Sequence, residues 1–243
     1  MPSNITRVKT GIGGLDFMLQ GGIPESNQVV ITGGPGAGKT LMAFEIAYKV
    51  ALSGVPSAYI SIEEKPETLL KNVKSTFTSF TKIDELLNNG SMVVADSEIY
   101  EDLKASEASG TYSFANFIAS VNGIVESNKS KFVVMDSMSV FNFLLPDEFI
   151  HRRSMIALAS NMQRSGITAL FTTELSESDI SDLKFQAEFF LFDGVILLYQ
   201  LVKGERRTFN LEILKMRGTD HSRYTAPYDI TPEGFKIYTL EQS

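Results

Sequence analysis

The chain has 243 residues, of which 43% are hydrophobic and 21% are charged, a composition that suits one globular domain over residues 1–243. The net charge of −7 at pH 7 disfavours sequence-independent binding to nucleic acid phosphates or to an anionic membrane surface. The absence of cysteine excludes disulfides and thiolate metal sites, and the two histidines are too few to suggest zinc. Because "MPSNITRVKTGIGGLD" lacks a signal-peptide pattern and no run approaches about 20 apolar residues, we expect a complete cytoplasmic chain without membrane insertion.

Short apolar runs alternate with longer amphipathic stretches over much of the chain. The apolar runs cover residues 27–33, 57–62, 91–96, 131–137 and 167–174. The amphipathic stretches cover residues 38–53, 66–80, 113–128 and 147–165, and the polar stretch 100–113 is predicted to be a surface loop. This alternation predicts βαβ units, and therefore an α/β fold with a mostly parallel central sheet and helices on both of its faces.

The pattern changes after residue 190. The segments "DGVILLYQLV" and "RRTFNLEILKMR" flank a polar "KGE" turn, which predicts an antiparallel hairpin rather than another βα unit. A further strand, "GFKIYTL", is predicted near the end of the chain. The mostly parallel sheet should therefore carry an antiparallel C-terminal extension.

A phosphate-binding motif follows the first predicted strand and opens the first long helix. The segment "GGPGAGKT" matches the P-loop pattern GxxxxGK(S/T) in the required strand-to-helix context. Backbone N–H groups of such a loop surround phosphates, while Lys39 would reach the terminal phosphates and Thr40 would offer its hydroxyl to Mg²⁺. The expected nucleotide-binding residues are Gly33, Gly34, Pro35, Gly36, Ala37, Gly38, Lys39, Thr40 and Leu41.

Acidic residues end two other predicted strands. Asp136 follows the apolar run "FVVM", as the Walker B aspartate that helps to hold the metal would. Glu63 and Glu64 follow "SAYISI", and one of them could activate water beside the γ-phosphate, with Glu63 as the principal base. The alternative is that Glu64 simply belongs to the polar start of a helix whose first turn holds Pro66.

These motifs together resemble the RecA superfamily, and within it the single-domain relatives of the circadian clock ATPase KaiC. The resemblance spans "TGIGGLDFMLQGGIP", "GGPGAGKT", "ISIEEKPETLL", "VVMDSMSV", "RRSMIALASNMQRSGITALFTTE", "DGVILLYQ" and "LEILKMRGTDHSRYTAPYDITPEG". It implies a RecA-type P-loop NTPase that uses ATP and Mg²⁺, with the glutamate pair serving hydrolysis. It also implies a homo-oligomer, with a hexameric ring as one form, whose nucleotide sites lie between subunits.

The segment "LKMRGTDH" carries the residues for that shared site. Lys215 and Arg217 lie two apart, which would put both on one face of a strand. The resemblance assigns Lys215, Arg217 and His221 to a role facing the neighbouring subunit's nucleotide. The alternative is a solvated edge strand whose cations only prevent aggregation.

Three functions remain open from the sequence. The favoured one is an Mg²⁺-dependent ATPase whose turnover changes the state of an unknown protein partner. The second is a recombination accessory like RadA, although the chain shows no long basic loop for single-stranded DNA. The third is a regulatory scaffold that binds ATP with negligible turnover. The presence of Glu63 and Glu64, which would serve hydrolysis, argues against this third function. Autophosphorylation at Ser176, Ser178 or Ser181, which follow a strand ending in Thr172, Thr173 and Glu174, is less favoured.

Overall fold

The computed structural model describes residues 5–96, 113–175, 187–204 and 206–239. The strands are β1 Arg7–Val8, β2 Ile23–Pro24, β3 Gln28–Gly33, β4 Ser57–Ser61, β5 Met92–Asp96, β6 Phe132–Asp136, β7 Thr168–Glu174, β8 Gly194–Lys203, β9 Arg206–Met216, β10 Ala226–Thr231 and β11 Gly234–Ile237. The helices are α1 Gly13–Met18, α2 Lys39–Leu52, α3 Pro66–Thr76, α4 Ile83–Asn88, α5 Phe114–Asn128, α6 Phe141–Leu144 and α7 Glu148–Arg164. Short 3₁₀ helices cover Met138–Val140 and Ala187–Phe190.

The main sheet has the strand order β11-β10-β9-β8-β3-β7-β6-β4-β5. The six strands from β8 to β5 run parallel, whereas β9, β10 and β11 each pair antiparallel with their neighbours. A separate ribbon joins β1 to β2. The mostly parallel sheet and its antiparallel C-terminal hairpin are therefore confirmed.

Helices cover both faces of this sheet because its central strands are apolar on both sides. Along β3, Val29 and Ile31 belong to one buried cluster and Val30 to another, as alternating side chains require. The first cluster includes residues of α2, α3 and α4, and the second includes residues of α5 and α7. Among the described helices, none combines the length and apolar character that crossing a membrane requires.

The ends of three predicted elements differ from the sequence predictions, and one of these is the strand predicted over "GFKIYTL", which ends at Ile237. The helix expected over residues 66–80 ends at Thr76, because Phe77 leaves the helical conformation at φ −103° and ψ 72°. The chain then turns so that the ring of Phe80 stacks on Tyr48 and on Phe77, with centroids 4.5 and 4.6 Å apart. Arg217 lies one residue beyond the end of β9 rather than within the strand. The loop predicted over residues 100–113 lies outside the described residues up to 112.

Strand β10 was not predicted, because Pro227 and Asp229 interrupt its apolar pattern. Together with β11 it packs against the loop that follows β3. The Tyr228 hydroxyl donates to the carbonyl of Ala37 at 2.5 Å, and Ile230 lies so close that a Cβ added at Gly38 would be 2.8 Å from its Cδ1 atom. The C-terminal hairpin thus forms one wall of the region where the phosphate-binding motif lies.

Candidate functional site

Four neighbouring parallel strands end at the same edge of the sheet. The register pairs Gly33 at the end of β3 with Glu174 at the end of β7, and Ser61 at the end of β4 with Asp136 at the end of β6. Ligands of open α/β sheets bind at this carboxyl edge. The predicted P-loop, Asp136 and the glutamate pair, which follows Ser61, are therefore brought to one place.

The P-loop has the backbone that its glycines allow. Gly36 and Gly38 have φ of +74° and +88°, in the left-handed region, and α2 begins at Lys39 directly afterwards. The Lys39 ammonium is buried and donates to the carbonyls of Gly33 and Gly34 at 3.0 and 3.1 Å. Burial lowers the pKa of Lys39, and the nearby carboxylates oppose that change. The N-terminus of α2 and the Lys39 charge together suit an anion at this loop.

Asp136 is held by hydroxyl groups from three other elements. Its carboxylate accepts hydrogen bonds from Thr40 at 3.3 Å, from Tyr59 at 2.5 Å and from Thr172. Asp136 is 7% exposed and the other residues orient it toward the P-loop threonine. Burial, followed by the charge of Asp136, raises the pKa of Tyr59 well above its ordinary value, so this hydroxyl stays protonated and remains a donor.

The two adjacent glutamates face different surroundings. Glu63 lines the same cleft as Lys39 and Asp136. Burial raises the pKa of the Glu63 carboxyl, and the negative charges of Asp136 and Glu174 raise it further. The Glu64 carboxylate instead accepts a hydrogen bond from the Asn72 side chain of α3 at 2.8 Å. The helix that follows begins at Pro66, so Glu64 lies at the polar start of α3 while Glu63 faces the cleft.

These elements enclose a cleft of about 280 Å³, which we call the nucleotide cleft. Its lining residues are Pro35, Gly36, Gly38, Lys39, Thr40, Leu41, Glu63, Asp136, Ser137 and Glu174. The remaining P-loop residues act behind this surface: Gly33 and Gly34 offer carbonyls to Lys39, and the Ala37 carbonyl accepts from Tyr228. The cleft therefore joins the predicted P-loop to three carboxylates, those of Glu63, Asp136 and Glu174.

We call Lys215 and Arg217 the cation pair. They lie toward the end of the sheet where the parallel strands begin, whereas the nucleotide cleft lies where those strands end. Lys215 is in register with Val195, which in turn pairs with Val30 of β3. By contrast, Leu198 at the level of Gly33 pairs with Leu211, four residues before Lys215. Strand β9 has one extra residue at a bulge beside Val195, so the displacement follows from the three residues between Leu198 and Val195 of β8. At about 3.3 Å per strand residue, Lys215 is displaced from the level of Gly33 by roughly 10 Å, and Arg217 lies further along the chain in the same direction. His221 follows this strand, and its Nδ1 lies 2.9 Å from the Ser222 carbonyl oxygen.

Several residues around the site were not found from the sequence. Tyr59 and Ser137 contact the carboxylates, Tyr228 contacts the P-loop, and Asp193 pairs with Arg217. The available signal for Tyr59 was a hydroxyl between the apolar residues Ala58 and Ile60 of β4, and the signal for Asp193 was an acid directly before an apolar strand. For Tyr228 a single sequence offers no signal, because its contact joins distant segments. Ser176, Ser178 and Ser181 lie outside the described residues.

The chain is similar to KaiC proteins over nearly its whole length. A family model described as "ATPase: KaiC" matches residues 8–242. The circadian clock oscillator protein KaiC 1 of Synechocystis sp. and KaiC of Synechococcus elongatus are each 28% identical over 237 residues, or 97% of this chain. The chain spans 45% of the length of each of these relatives.

A solved structure supports the same relationship. The crystal structure of a KaiC-like protein from the hyperthermophilic archaeon Pyrococcus horikoshii OT3 superimposes with a TM-score of 0.82 at 28% identity. The match covers 97% of this chain and 100% of the archaeal one. Together with the family match, it establishes that this chain belongs to the KaiC family of ATPases and has a RecA-type fold.

Proposed function

We propose that the protein is an Mg²⁺-dependent ATPase whose active sites are shared between subunits of a homo-oligomer in the cytoplasm. The observation that carries the proposal is the convergence of Lys39, Thr40, Asp136 and Glu63 at one cleft. Phosphoryl transfer to water requires an anion cradle, metal-binding oxygens and a group that orients the attacking water. Each of these has a candidate in the cleft.

The residues present fit a magnesium ion. Mg²⁺ prefers oxygen ligands and is usually held by one or two protein groups together with water and substrate phosphates. Thr40 and Asp136 offer such oxygens 3.3 Å apart, with no soft ligand among the residues lining the cleft. A bound ion would neutralise phosphate charge. The protein's own part is to hold the Asp136 carboxylate in a fixed orientation through Tyr59 and Thr172.

Glu63 is the proposed base. A general base works best when its pKa approaches the working pH, and the pKa of Glu63 is shifted in that direction by burial and by its acidic neighbours. Lys39 lies close enough to stabilise the ionised carboxylate of Glu63, and its ammonium is also the group proposed to bind the terminal phosphates. Glu64, turned toward Asn72, has the supporting role of fixing the start of α3.

The cation pair is proposed to act on the nucleotide of a neighbouring subunit. Because its strand position separates it from the P-loop of its own chain, a second copy is the means by which Lys215 and Arg217 could meet phosphates. An arginine supplied by a neighbour stabilises the charge that develops on the γ-phosphate. Contacts that join one edge of a subunit to the opposite edge of the next are head-to-tail, and they close into a ring when the rotation permits. A hexameric ring and a contact of His221 with the neighbour's nucleotide belong to this proposal.

Mixing two inactive variants tests the proposal. Glu63→Gln removes the base but keeps the cation pair, whereas Arg217→Ala keeps the base but removes the arginine. Each variant alone should hydrolyse ATP slowly, and a one-to-one mixture should recover about a quarter of the wild-type rate, since random assembly joins an intact cleft to an intact arginine at about one interface in four. Arg164→Ala, at an exposed arginine in the last turn of α7, is the matched control and should leave the rate unchanged.

The concentration dependence of the rate gives a second readout. The wild-type ATPase rate per subunit should rise with protein concentration as the shared sites form. A rate that is independent of concentration, together with no recovery in the mixture, would contradict shared sites. Binding of ATP without measurable turnover would instead favour a nucleotide-dependent scaffold. Whether the protein hydrolyses ATP or only binds it, we propose that the bound nucleotide controls the state of a protein partner.

A further inference from the structure

The strongest feature that the proposed mechanism leaves unused is the carboxylate of Asp193. This residue lies directly before β8, and its side chain is 11% exposed. Its Oδ1 atom accepts a hydrogen bond from Arg217 Nη1 at 3.0 Å, and its Oδ2 atom accepts one from the backbone N–H of Gln28 at 3.0 Å. Since Gln28 begins β3, the carboxylate connects the arginine directly to the central strand of the sheet.

Three further hydrogen bonds fix the backbone of Asp193 and of Arg217. The Asp193 N–H donates to the Gln28 carbonyl at 2.7 Å, and the Arg217 N–H donates to the Asp193 carbonyl at 2.8 Å. The Arg217 carbonyl accepts from the Asn27 side chain at 3.1 Å. Both the main chain and the side chain of Arg217 are thus held by residues at the start of β3 and β8.

The guanidinium of Arg217 is hydrogen-bonded to Asp193 but remains exposed to solvent. Its side chain is 57% exposed although it is paired with an almost buried acid. A guanidinium has five N–H donors in a rigid plane, so one nitrogen can bind Asp193 while the others stay available to an anion. Lys215 lies beside it and donates to the carbonyls of Phe192 at 2.5 Å and Phe189 at 3.3 Å, which confines the second cation to the same region.

We propose that Asp193 is a positioning residue that orients Arg217 toward the nucleotide bound by the next subunit. The inference rests on the proposed shared site and deepens it, because it names the group that holds the arginine in place before the subunits meet. A long side chain that is ordered in advance loses less freedom on contact, so more of its interaction is realised at the reacting phosphate. The carboxylate remains bound to one edge of the guanidinium while the other edge contacts the neighbour's phosphate.

The test separates two roles that one subunit has in a shared site. Subunits carrying Glu63→Gln serve as arginine donors, and subunits carrying Arg217→Ala serve as cleft donors. In the first mixture, Asp193→Asn is added to the arginine donor. In the second, it is added to the cleft donor. Asparagine has nearly the same volume and retains one oxygen that can accept from Gln28, but it lacks the negative charge that holds Arg217.

We expect the first mixture to lose about tenfold in kcat relative to the mixture without Asp193→Asn, with little change in KM, because a misplaced catalytic group slows the reaction more than it weakens binding. The second mixture should keep its rate, since its cleft donor has no Arg217 to orient. Equal rates in both mixtures and in the reference would overturn the inference while leaving the shared site intact. A loss of similar size in both mixtures would also overturn it, because it would indicate a general structural role.

The reference mixture distinguishes failure of the underlying function. If Glu63→Gln and Arg217→Ala subunits show no recovery together, the shared site is wrong and the role of Asp193 falls with it. If Asp193→Asn does not fold, as judged by circular dichroism and size-exclusion chromatography, Asp193→Glu replaces it in the same mixtures. That variant keeps the charge and the acceptors but moves the carboxylate by one methylene, and the same selective loss in the arginine donor is expected, at a smaller fold-change.

Discussion

The contact between Tyr228 and the P-loop yields a prediction whose size follows from the structure. Tyr228→Phe removes the hydroxyl that donates to the Ala37 carbonyl at 2.5 Å. Tyr228 is 2% exposed, and its ring packs against Phe209 and Phe235 with centroids 5.5 and 5.4 Å apart. Phenylalanine preserves these ring contacts, so the loss of packing is small. A buried neutral hydrogen bond contributes about 1 kcal/mol, and a carbonyl left without this partner costs up to about 3 kcal/mol.

We therefore expect Tyr228→Phe to lower the free energy of unfolding by about 1–2 kcal/mol. Urea unfolding followed by circular dichroism, with the same m-value for both proteins, would measure it. Tyr238→Phe is the matched control, because that hydroxyl bonds to Asp229 at 2.9 Å in an exposed setting and should change the stability by less than about 0.5 kcal/mol. Equal effects of the two variants would refute the view that the hairpin supports the P-loop through this hydroxyl.

Further predictions concern the cleft and the hairpin. As the proposed base, Glu63 acts when ionised, so kcat/KM should fall as the pH drops through a pKa above the ordinary glutamate value; Glu174→Gln removes a charge that raises this pKa and should move the acidic limb to lower pH, whereas an unmoved limb would contradict the assignment. Thr172→Val removes a donor to the buried Asp136 carboxylate and should lower the free energy of unfolding by about 2 kcal/mol in urea; a change below about 0.5 kcal/mol would count against a stabilising role of this hydrogen bond. Gly234 has φ +115°, and an added Cβ would lie 2.8 Å from a buried carboxyl carbon, so Gly234→Ala should lower Tm by about 3–10 °C. Gly204→Ala, at φ +62° with open space around it, should lower Tm less, and the reverse order would contradict the packing argument.

Local patterns predicted most of the parallel sheet because each strand there is a short apolar run before a polar end. The same reasoning predicted a P-loop and a metal-binding role for Asp136 from residues close together in sequence, and the structure brings these residues to one cleft. It did not predict strand β10, where the pairing with β9 outweighs the effect of Pro227 on the pattern. It extended α3 too far, because the stacking of Phe80 on Tyr48 is a contact between distant segments.

The residues of the candidate site divide in the same way. Glu63 and Glu64 are adjacent in sequence, yet only the tertiary structure separates the cleft-facing carboxylate from the one that contacts Asn72. Tyr59 is buried like its apolar neighbours, and only the tertiary structure shows that its hydroxyl donates a hydrogen bond to Asp136. Asp193 and Arg217 are brought together by the β8–β9 pairing. Residues that act through long-range pairing are therefore the ones that periodicity and motif spacing cannot reveal.

The position of β3 within the sheet has a consequence for protein synthesis. This strand, which leads into the P-loop, pairs with β7 and β8, both of which come from later parts of the chain. While a ribosome is making the first half, the apolar segment "QVVITG" has no neighbouring strand to receive its backbone hydrogen bonds. Such long-range pairing slows folding and exposes strand edges to aggregation, so a nascent chain should need protection by chaperones and should bind nucleotide only after β8 has emerged.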